Sequence, residues 1–468
     1  MSEPGLWTRI RHAISGRSYA AASGGRRAIG RQTTPVSLSA MLAAREPLAA
    51  RARYLAANNA LAASAVEGWV SALVGSGIKP QSSHADNSIR SALNLAFETW
   101  TDSADADGLT DFYGLQALMV RRMVTDGEAF GLMVNTASGL RIRLIDPAQV
   151  DSGMTRDIAS DGGRIVQGVE FDRDGQRVAY HVFPDRPGMP YGNLPLQSRR
   201  IPAEDVVHLF RPETPGQVRG VTWFAPVILK LGDLDQWSDA QLARQKIAAM
   251  LAGFIRQTDG SGAPMDGTAD MGGTLTGGLE PGTLKFLAPG EEITFSTPAN
   301  VGAEVMTFAK VTERSIAAGL GLPASILTGD LSDVNYSSIR AGLVEWRRRI
   351  DALQHGVLAF QVLRPIWRRW AATEVLSGRV STTVAEAMPA KWIVPKQAWV
   401  DPAKDVKAEV EAIAAGLMSR REAVTSRGVD VEALDAEIAA DNERAKTLGL
   451  TFGVPAAANE NESAAAAA

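Results

Sequence analysis

The chain has 468 residues, 45% hydrophobic and 21% charged, an ordinary globular balance with room for two to four domains, which excludes a disordered chain, a collagen or a bare coiled coil. Lys and Arg total 48 against 52 Asp and Glu, a formal charge of −4, which argues against a general nucleic-acid coat. Cysteine is absent, so disulfides, thiolate nucleophiles, Cys-bound zinc and iron–sulfur clusters are excluded.

At the start, Arg9 and Arg11 are not followed by an apolar run, so no secretory signal is expected. No window approaches the run of about 20 apolar residues that crosses a bilayer, and a soluble protein is expected. Trp7, Ile10 and Ile14 lie at helical spacing beside Arg9, Arg11 and Arg17, as in a short surface-docked or frayed helix. The stretch 20–34 is rich in Gly, Ala and Arg, and the whole of 1–50 is expected to be a mobile basic segment. From 51 to 74, Tyr54, Leu61, Ala65, Trp69 and Leu73 make one apolar helical stripe, stopped by Gly75 and Gly77. Further helices are expected over about 86–100 and 112–126.

After Gly127 the pattern changes. Residues 129–134 are apolar, 140–145 alternate with Arg141 and Arg143, and 166–171 and 178–183 flank Asp174-Gly175, a dipeptide suited to a tight hairpin turn. With a strand at 206–210, residues 128–212 read as an antiparallel β module set into a helical chain. The fold class is therefore α+β, mainly helical.

A long helix is expected from Trp223 to about 255, with Pro226 in its first turn and Gly232 permitting a bend. Residues 258–282 are glycine-rich, and 283–286 with 291–295 flank Pro289-Gly290 as a small hairpin. Helical character returns over 301–319, where Val305, Phe308, Val311 and Ile316 share a side. Between 322 and 338, Pro323, Gly329, Asp330, Asp333, Asn335 and Ser337 predict a loop, followed by a helix over 339–370. Asp401 with Pro402 opens another helix, and Ser419 with Glu422 has capping-box spacing. The tail from Pro455 is expected to be mobile, and no internal repeat is evident.

Catalytic signatures are missing. No P-loop, H-E-x-x-H or G-x-S-x-G occurs, and His12, His84, His181, His208 and His355 are isolated in sequence. His208, inside an apolar strand, reads as structural, Asp146-Pro147 as a strand exit, and Arg347, Arg348 and Arg349 beside Trp346 as a solvated or subunit-facing helix surface. No cofactor, metal or catalytic residue is expected.

Five stretches in order carry a resemblance: RARYLAANNALAASAVEGWVSALVGSGIKP (51–80), DFYGLQALMVRRMVTDGEAF (111–130), IPAEDVVHLFRPETPGQVRGVTWFAPVI (201–228), LGLPASILTGDLSDVNYSSIRAG (320–342) and WVDPAKDVKAEVEAIAAGLMSRREAVTSRGVD (399–430). Together they make the chain similar to the portal proteins of tailed bacteriophages, lambda-type branch. The resemblance implies a ring, typically of twelve subunits, at one capsid vertex of the virion, through which double-stranded DNA is packaged and ejected without sequence specificity. It implies assembly in the host cytoplasm with the major capsid protein or a scaffold, and docking of the terminase large subunit and a head–tail adaptor, with no membrane. It implies a portal-type fold with a wing (51–222), stem helices (223–257 and 301–319), a clip (258–300), a tunnel loop (320–338), a long wing helix with a return segment (339–398), a crown (399–446) and a disordered tail (447–468).

A bore that lets DNA slide must not neutralise many phosphates, because such contacts bind strongly. Asp233, Asp235 and Asp239 on the first stem helix are candidates for an acidic lining. Gly329, Asp330, Leu331, Ser332, Asp333, Val334, Asn335, Tyr336, Ser337 and Ser338 are candidates for a loop that meets the DNA backbone without base readout. The competing readings are another head–tail connector or scaffolding protein, and an intracellular enzyme with an unrecognised site in the β module.

Overall fold

The structure, a computed structural model, describes residues 37–159, 162–185, 197–249, 253–257, 268–269, 275–276, 291–295, 303–332, 335–395 and 402–450. The basic segment at Trp7 to Arg17, the stretch 20–34 and the tail from Pro455 lie outside them.

Ser37 accepts the Ala40 N–H at 3.1 Å and opens the helix Leu38–Asn58. This corrects the expectation of mobility throughout 1–50: Arg45 and Ala49 are buried, and an ordered ion pair to Glu128 holds that end of the helix. The stripe predicted over 51–74 is two helices. Asn59 leaves helical geometry (φ −115°, ψ 125°) and its side chain caps Ala60–Leu73 through the Ala62 N–H at 3.0 Å, the preferred chemistry at a helix start. Asp86 and Asp111 cap the helices Asn87–Thr101 and Phe112–Asp126 in the same way. The second of these stops at Gly127, where φ is +90° and a Cβ would stand 2.2 Å from the Val221 carbonyl carbon. Only glycine suits that position.

The β module is two antiparallel sheets. In the first, Glu128–Thr136 is the central strand between Gly139–Ile145 and Val206–Phe210, with Phe130 opposite both Ile145 and His208. The second is a meander of Arg156–Ile158, Gly163–Val166, Val169–Phe171, Arg177–Val182 and Arg199–Pro202. The expected pairing around Asp174-Gly175 is present, with Val169 opposite Tyr180. The stretch read as a strand over 166–171 is instead broken by Gln167-Gly168, both at positive φ (46° and 80°), the conformation of a two-residue hairpin turn. Glycine at the second position allows it; Gln167 carries the strain, its N–H donating to Thr155 Oγ1 at 3.0 Å.

One apolar core joins the helices to the first sheet. Phe97 lies 4.9 to 5.6 Å from the rings of Trp100, Phe112, Trp367 and Trp370. Trp69, Trp367 and Trp370 are fully enclosed.

Two long helices leave this body. The first, expected over 223–257, runs Ile228–Ala249. Residues 223–227 form turns in which the Thr222 hydroxyl accepts the Phe224 N–H, and Gly253–Gln257 is a strand. That strand pairs antiparallel with Glu291–Phe295, Gly253 opposite Phe295. This corrects the hairpin expected between 283–286 and 291–295: the partner of the latter is 253–257, and 283–286 lies outside the described residues. The second long helix is Ala303–Leu320.

The stretch expected as a loop over 322–338 contains the short helix Ala324–Thr328, ended by Gly329 at φ +71°. A new helix, Tyr336–Leu353, starts with Asn335 accepting the Ser338 N–H at 2.8 Å, three residues before the predicted start at 339. The helix then widens to π geometry over Gln354–Leu363, the Arg364 N–H bonding Ala359 O five residues back, and continues as Arg364–Leu376. Ala390–Ile393 pairs antiparallel with Lys79–Ser82, and Pro402–Ala414, Arg420–Thr425 and Val431–Leu448 complete the chain. Ser419 caps the second of these through the Glu422 N–H at 3.0 Å; Asp401 lies outside the described residues.

Candidate functional site

The two long helices pack side by side at their bases. Trp237 and Phe308 rings lie 5.0 Å apart, Lys230 Nζ donates to Ser315 Oγ at 2.6 Å, and Gly319 admits Val227 where a Cβ would stand 2.4 Å from Cγ1. Among these contacts a cavity of about 310 Å³ opens between the helices, lined by Lys230, Asp233, Leu234, Phe308, Val311, Thr312 and Ser315.

All three predicted stem carboxylates are exposed, but they do not share a face. At 100° per residue Asp235 and Asp239 fall within 40° of each other, while Asp233 lies about 160° from Asp235. Asp233 lines the cavity toward the second helix. Asp235 turns toward the body, where Asn59 Nδ2 donates to it at 3.5 Å. Within one subunit the acidic surface is therefore the pair Asp235 and Asp239.

The loop residues divide as well. Asp330 accepts the Ser332 N–H at 2.8 Å and lies 3.7 Å from Lys310 Nζ; the Ser332 bond, then the lysine charge, lowers its pKa. Glu313 shifts the other way, raised by burial and by the charge of Asp330. Leu331 projects with 58% of its surface exposed. Asn335 and Ser338 are spent on the helix cap, and Tyr336 and Ser337 belong to its first turn. Asp333 and Val334 lie outside the described residues. Among the described loop residues, Gly329 to Ser332 lie between the two helices and are exposed.

Sequence reasoning missed the hub that ties the helix Leu38–Asn58 and the segment before the stem to the β module. Glu128, the first residue of its strand and wholly buried, accepts from Arg219 Nε at 2.9 and 3.0 Å, Arg219 Nη2 at 2.6 Å, Arg45 Nη1 at 2.9 Å, the Gly220 N–H at 2.9 Å and His208 Nε2 at 3.1 Å. Burial alone raises a carboxyl pKa, but Arg219, the His208 bond and Arg45 outweigh it and hold Glu128 well below its usual range. Burial moves His208 the other way, down to about 4; it is neutral and stacked on Phe130 at 4.1 Å, the structural histidine its strand context predicts. Arg219 lies in the irregular stretch 211–222 before a helix and gave no periodic signal by which this role could be found.

Among the described residues no group of three or more His, Asp or Glu stands close enough to hold a metal ion, and no helix is long and apolar enough to cross a membrane. A model of the phage portal proteins, lambda family, matches residues 24–354, which is most of the sequence. The chain belongs to that family. This portal chain is 26% identical over 382 residues to the probable portal protein of Halomonas phage phiHAP-1, covering 78% of this chain and 73% of that protein. It is 26% identical over 459 residues to the portal protein of Escherichia phage N15, covering 86% and 84%. Among solved structures it is similar to a chain in the neck of an empty gene transfer agent particle, at 15% identity and a TM-score of 0.49, covering 81% of this chain and 93% of that one.

Proposed function

We propose that copies of this portal chain close into a ring, of twelve subunits, at one capsid vertex, and that its bore is the path by which double-stranded DNA is packaged and ejected. The observation that carries this reading is the pair Ile228–Ala249 and Ala303–Leu320, two long helices that leave the body together and enclose an excursion whose entering and returning strands are paired. They serve as the stem, and 258–300 between them as the clip that meets the terminase large subunit and later the head–tail adaptor. The helices and sheets of 51–222 form the wing, 320–338 the tunnel loop, 339–398 the long wing helix and its return segment, and 399–446 the crown. The ring contacts the major capsid protein or scaffold at the vertex and assembles in the host cytoplasm.

A heterologous interface that closes on rotation requires two different complementary faces on each subunit. The stem supports this with an outward row of Leu229, Gln236, Ala240 and Ala243 on its first helix, while Phe308 and Val311 on the second turn to the cavity between the two. Asp235 and Asp239 keep phosphate from being gripped, and the residues around Gly329 to Ser332 meet the DNA backbone by shape and weak polar contact. The chain acts without catalysis, energy for translocation coming from the terminase. Negative-stain images of the purified full chain test this: annular particles with a central hole of duplex width are expected, and solid or strictly monomeric particles at every concentration would overturn it.

A further inference from the structure

The three C-terminal helices Pro402–Ala414, Arg420–Thr425 and Val431–Leu448 are tied to one another by Arg420–Asp435 at 2.6 Å and by Arg427–Glu409. Among the described residues of this unit only Ala423, Val431 and Ala445 are buried, and none of its side chains belongs to either apolar core. Val410, Leu417 and Leu448 face solvent. What joins the unit to the body is polar. Arg90 binds Glu432 through two parallel bonds, Nε to Oε2 at 3.1 Å and Nη2 to Oε1 at 2.8 Å, Gln81 Nε2 donates to Asp430 Oδ1 at 2.5 Å, and Arg340 Nη2 lies 3.3 Å from Asp405 Oδ1. Beside the first two of these the seam is hollow: a cavity of about 490 Å³ lies between Leu95 and Tyr113 on the body and Val429, Ala433 and Ala436 on the unit.

A seam of this kind opens at little cost. Apolar burial, which fixes the helices of the body, is nearly absent from it, and the Arg90–Glu432 pair is partly exposed, at 17% and 26%, so salt weakens it. Opening also strands no group. Glu432 keeps Arg421, whose Nη2 donates to Oε1 at 3.3 Å from within the unit. Asp430 Oδ1 keeps the Glu432 N–H at 3.0 Å as the cap of its helix, and Arg90 Nη1 keeps His84 O at 2.7 Å. The Glu128 hub is the opposite case, where loss of a partner leaves a charge shut away from water. We propose that the three helices are a hinged unit that swings off the strand Lys79–Ser82 and the helix Asn87–Thr101, with Arg90–Glu432 and Gln81–Asp430 as its latch and Arg421 as the group that retains the released carboxylate. The inference stands on the packing within one subunit and does not depend on the ring reading.

The absence of cysteine supplies the test. Ala92→Cys and Ala440→Cys, both at exposed positions, carry a pair of spin labels across the seam, and pulsed electron–electron resonance on full-length labelled chain, diluted into an excess of unlabelled chain, reads the distance between them at low and high salt. Two distances are expected, the longer gaining as salt rises. Arg90→Ala should raise the open-to-closed ratio at low salt by roughly threefold to fivefold, the upper range for a partly exposed pair, and remove most of its salt response. Glu432→Gln, which leaves the body and the Arg90–His84 bond untouched, should move the ratio the same way and decides the matter if Arg90→Ala fails to fold by circular dichroism. Arg421→Ala spares the latch and should not raise the ratio. A single distance that neither salt nor either latch variant moves would overturn the hinge; equal opening in Arg421→Ala would overturn it too, by locating the change inside the unit instead of at the seam.

Discussion

Arg219→Met is the sharpest probe of how the portal chain holds its helices to its β module. Arg219 and Glu128 are both fully enclosed. The substitution removes three hydrogen bonds to Glu128 and leaves Gln167 O and Pro147 O without the guanidinium donors at 2.7 and 3.2 Å. Glu128 keeps Arg45, His208 and the Gly220 N–H, so its charge is only partly uncompensated. Removing one member of a buried pair costs about 3 to 5 kcal/mol, and the surviving partners place the expectation at about 3, against a total stability on the order of 5 to 15 kcal/mol. The control is Arg143→Met, which breaks the Arg143–Asp107 pair at 3.0 Å. Both of those side chains are about half exposed, and such pairs contribute about 0 to 1 kcal/mol. Urea unfolding followed by tryptophan fluorescence, at one protein concentration and one assembly state, reads both. Equal losses, or a loss below about 1 kcal/mol for Arg219→Met, would refute the claim that the hub joins the two parts.

The same hub sets a pH dependence. His208 in the folded chain has its pKa lowered to about 4, whereas the unfolded chain takes up the proton near 6.5, so stability falls as pH drops from about 6.5 toward 4, by up to about 1.4 kcal/mol per unit; His208→Gln should flatten that slope, and an unaltered slope would assign it elsewhere. Replacing 330–334 by a Gly/Ser linker of equal length, which spares the Asn335 cap, should leave rings intact and impair DNA packaging; unimpaired packaging would remove the loop from the bore. Asp235→Lys with Asp239→Lys adds two phosphate-binding charges per subunit and should slow DNA passage with relief by added salt, whereas salt-independent or normal passage would place this face away from the duplex. Purified rings should release no phosphate from ATP without a terminase; turnover by the rings alone would contradict the assignment of the energy source.

Much of the fold is legible where local chemistry and tertiary packing agree. Asp86, Asp111 and Ser419 cap helices from side chains visible in the sequence, and Gly127 marks the change from helix to strand because nothing larger fits against residue 221. Family membership, too, was accessible from the five ordered stretches. Misreadings arise where one local signal overrides another. The apolar stripe over 51–74 continues across Asn59, so periodicity hides a break that the cap enforces. Helical periodicity also runs past Ala249, although 253–257 finds its partner nearly forty residues later.

The candidate site was less accessible. Asp233, Asp235 and Asp239 look like one acidic cluster on paper, yet helical rotation sends the first to the interhelical cavity and the other two elsewhere. The π turn at Gln354–Leu363 has no compositional mark; Gln354 donates to Leu73 O at 2.9 Å and Gln361 accepts the Phe210 N–H at 2.9 Å, so long-range partners flank its course. Arg219 and Arg45 were equally silent, since burial of an arginine depends on a carboxylate that the chain supplies from 83 or 91 residues away.

The most direct test of the central claim is the mass of the assembled particle. Native mass spectrometry of the full chain, 49.7 kDa per copy, should give one closed species near twelve copies, about 600 kDa, with top views in the electron microscope open at the centre. A ladder of open oligomers without a preferred size, or a single 49.7 kDa species at all concentrations, would contradict it.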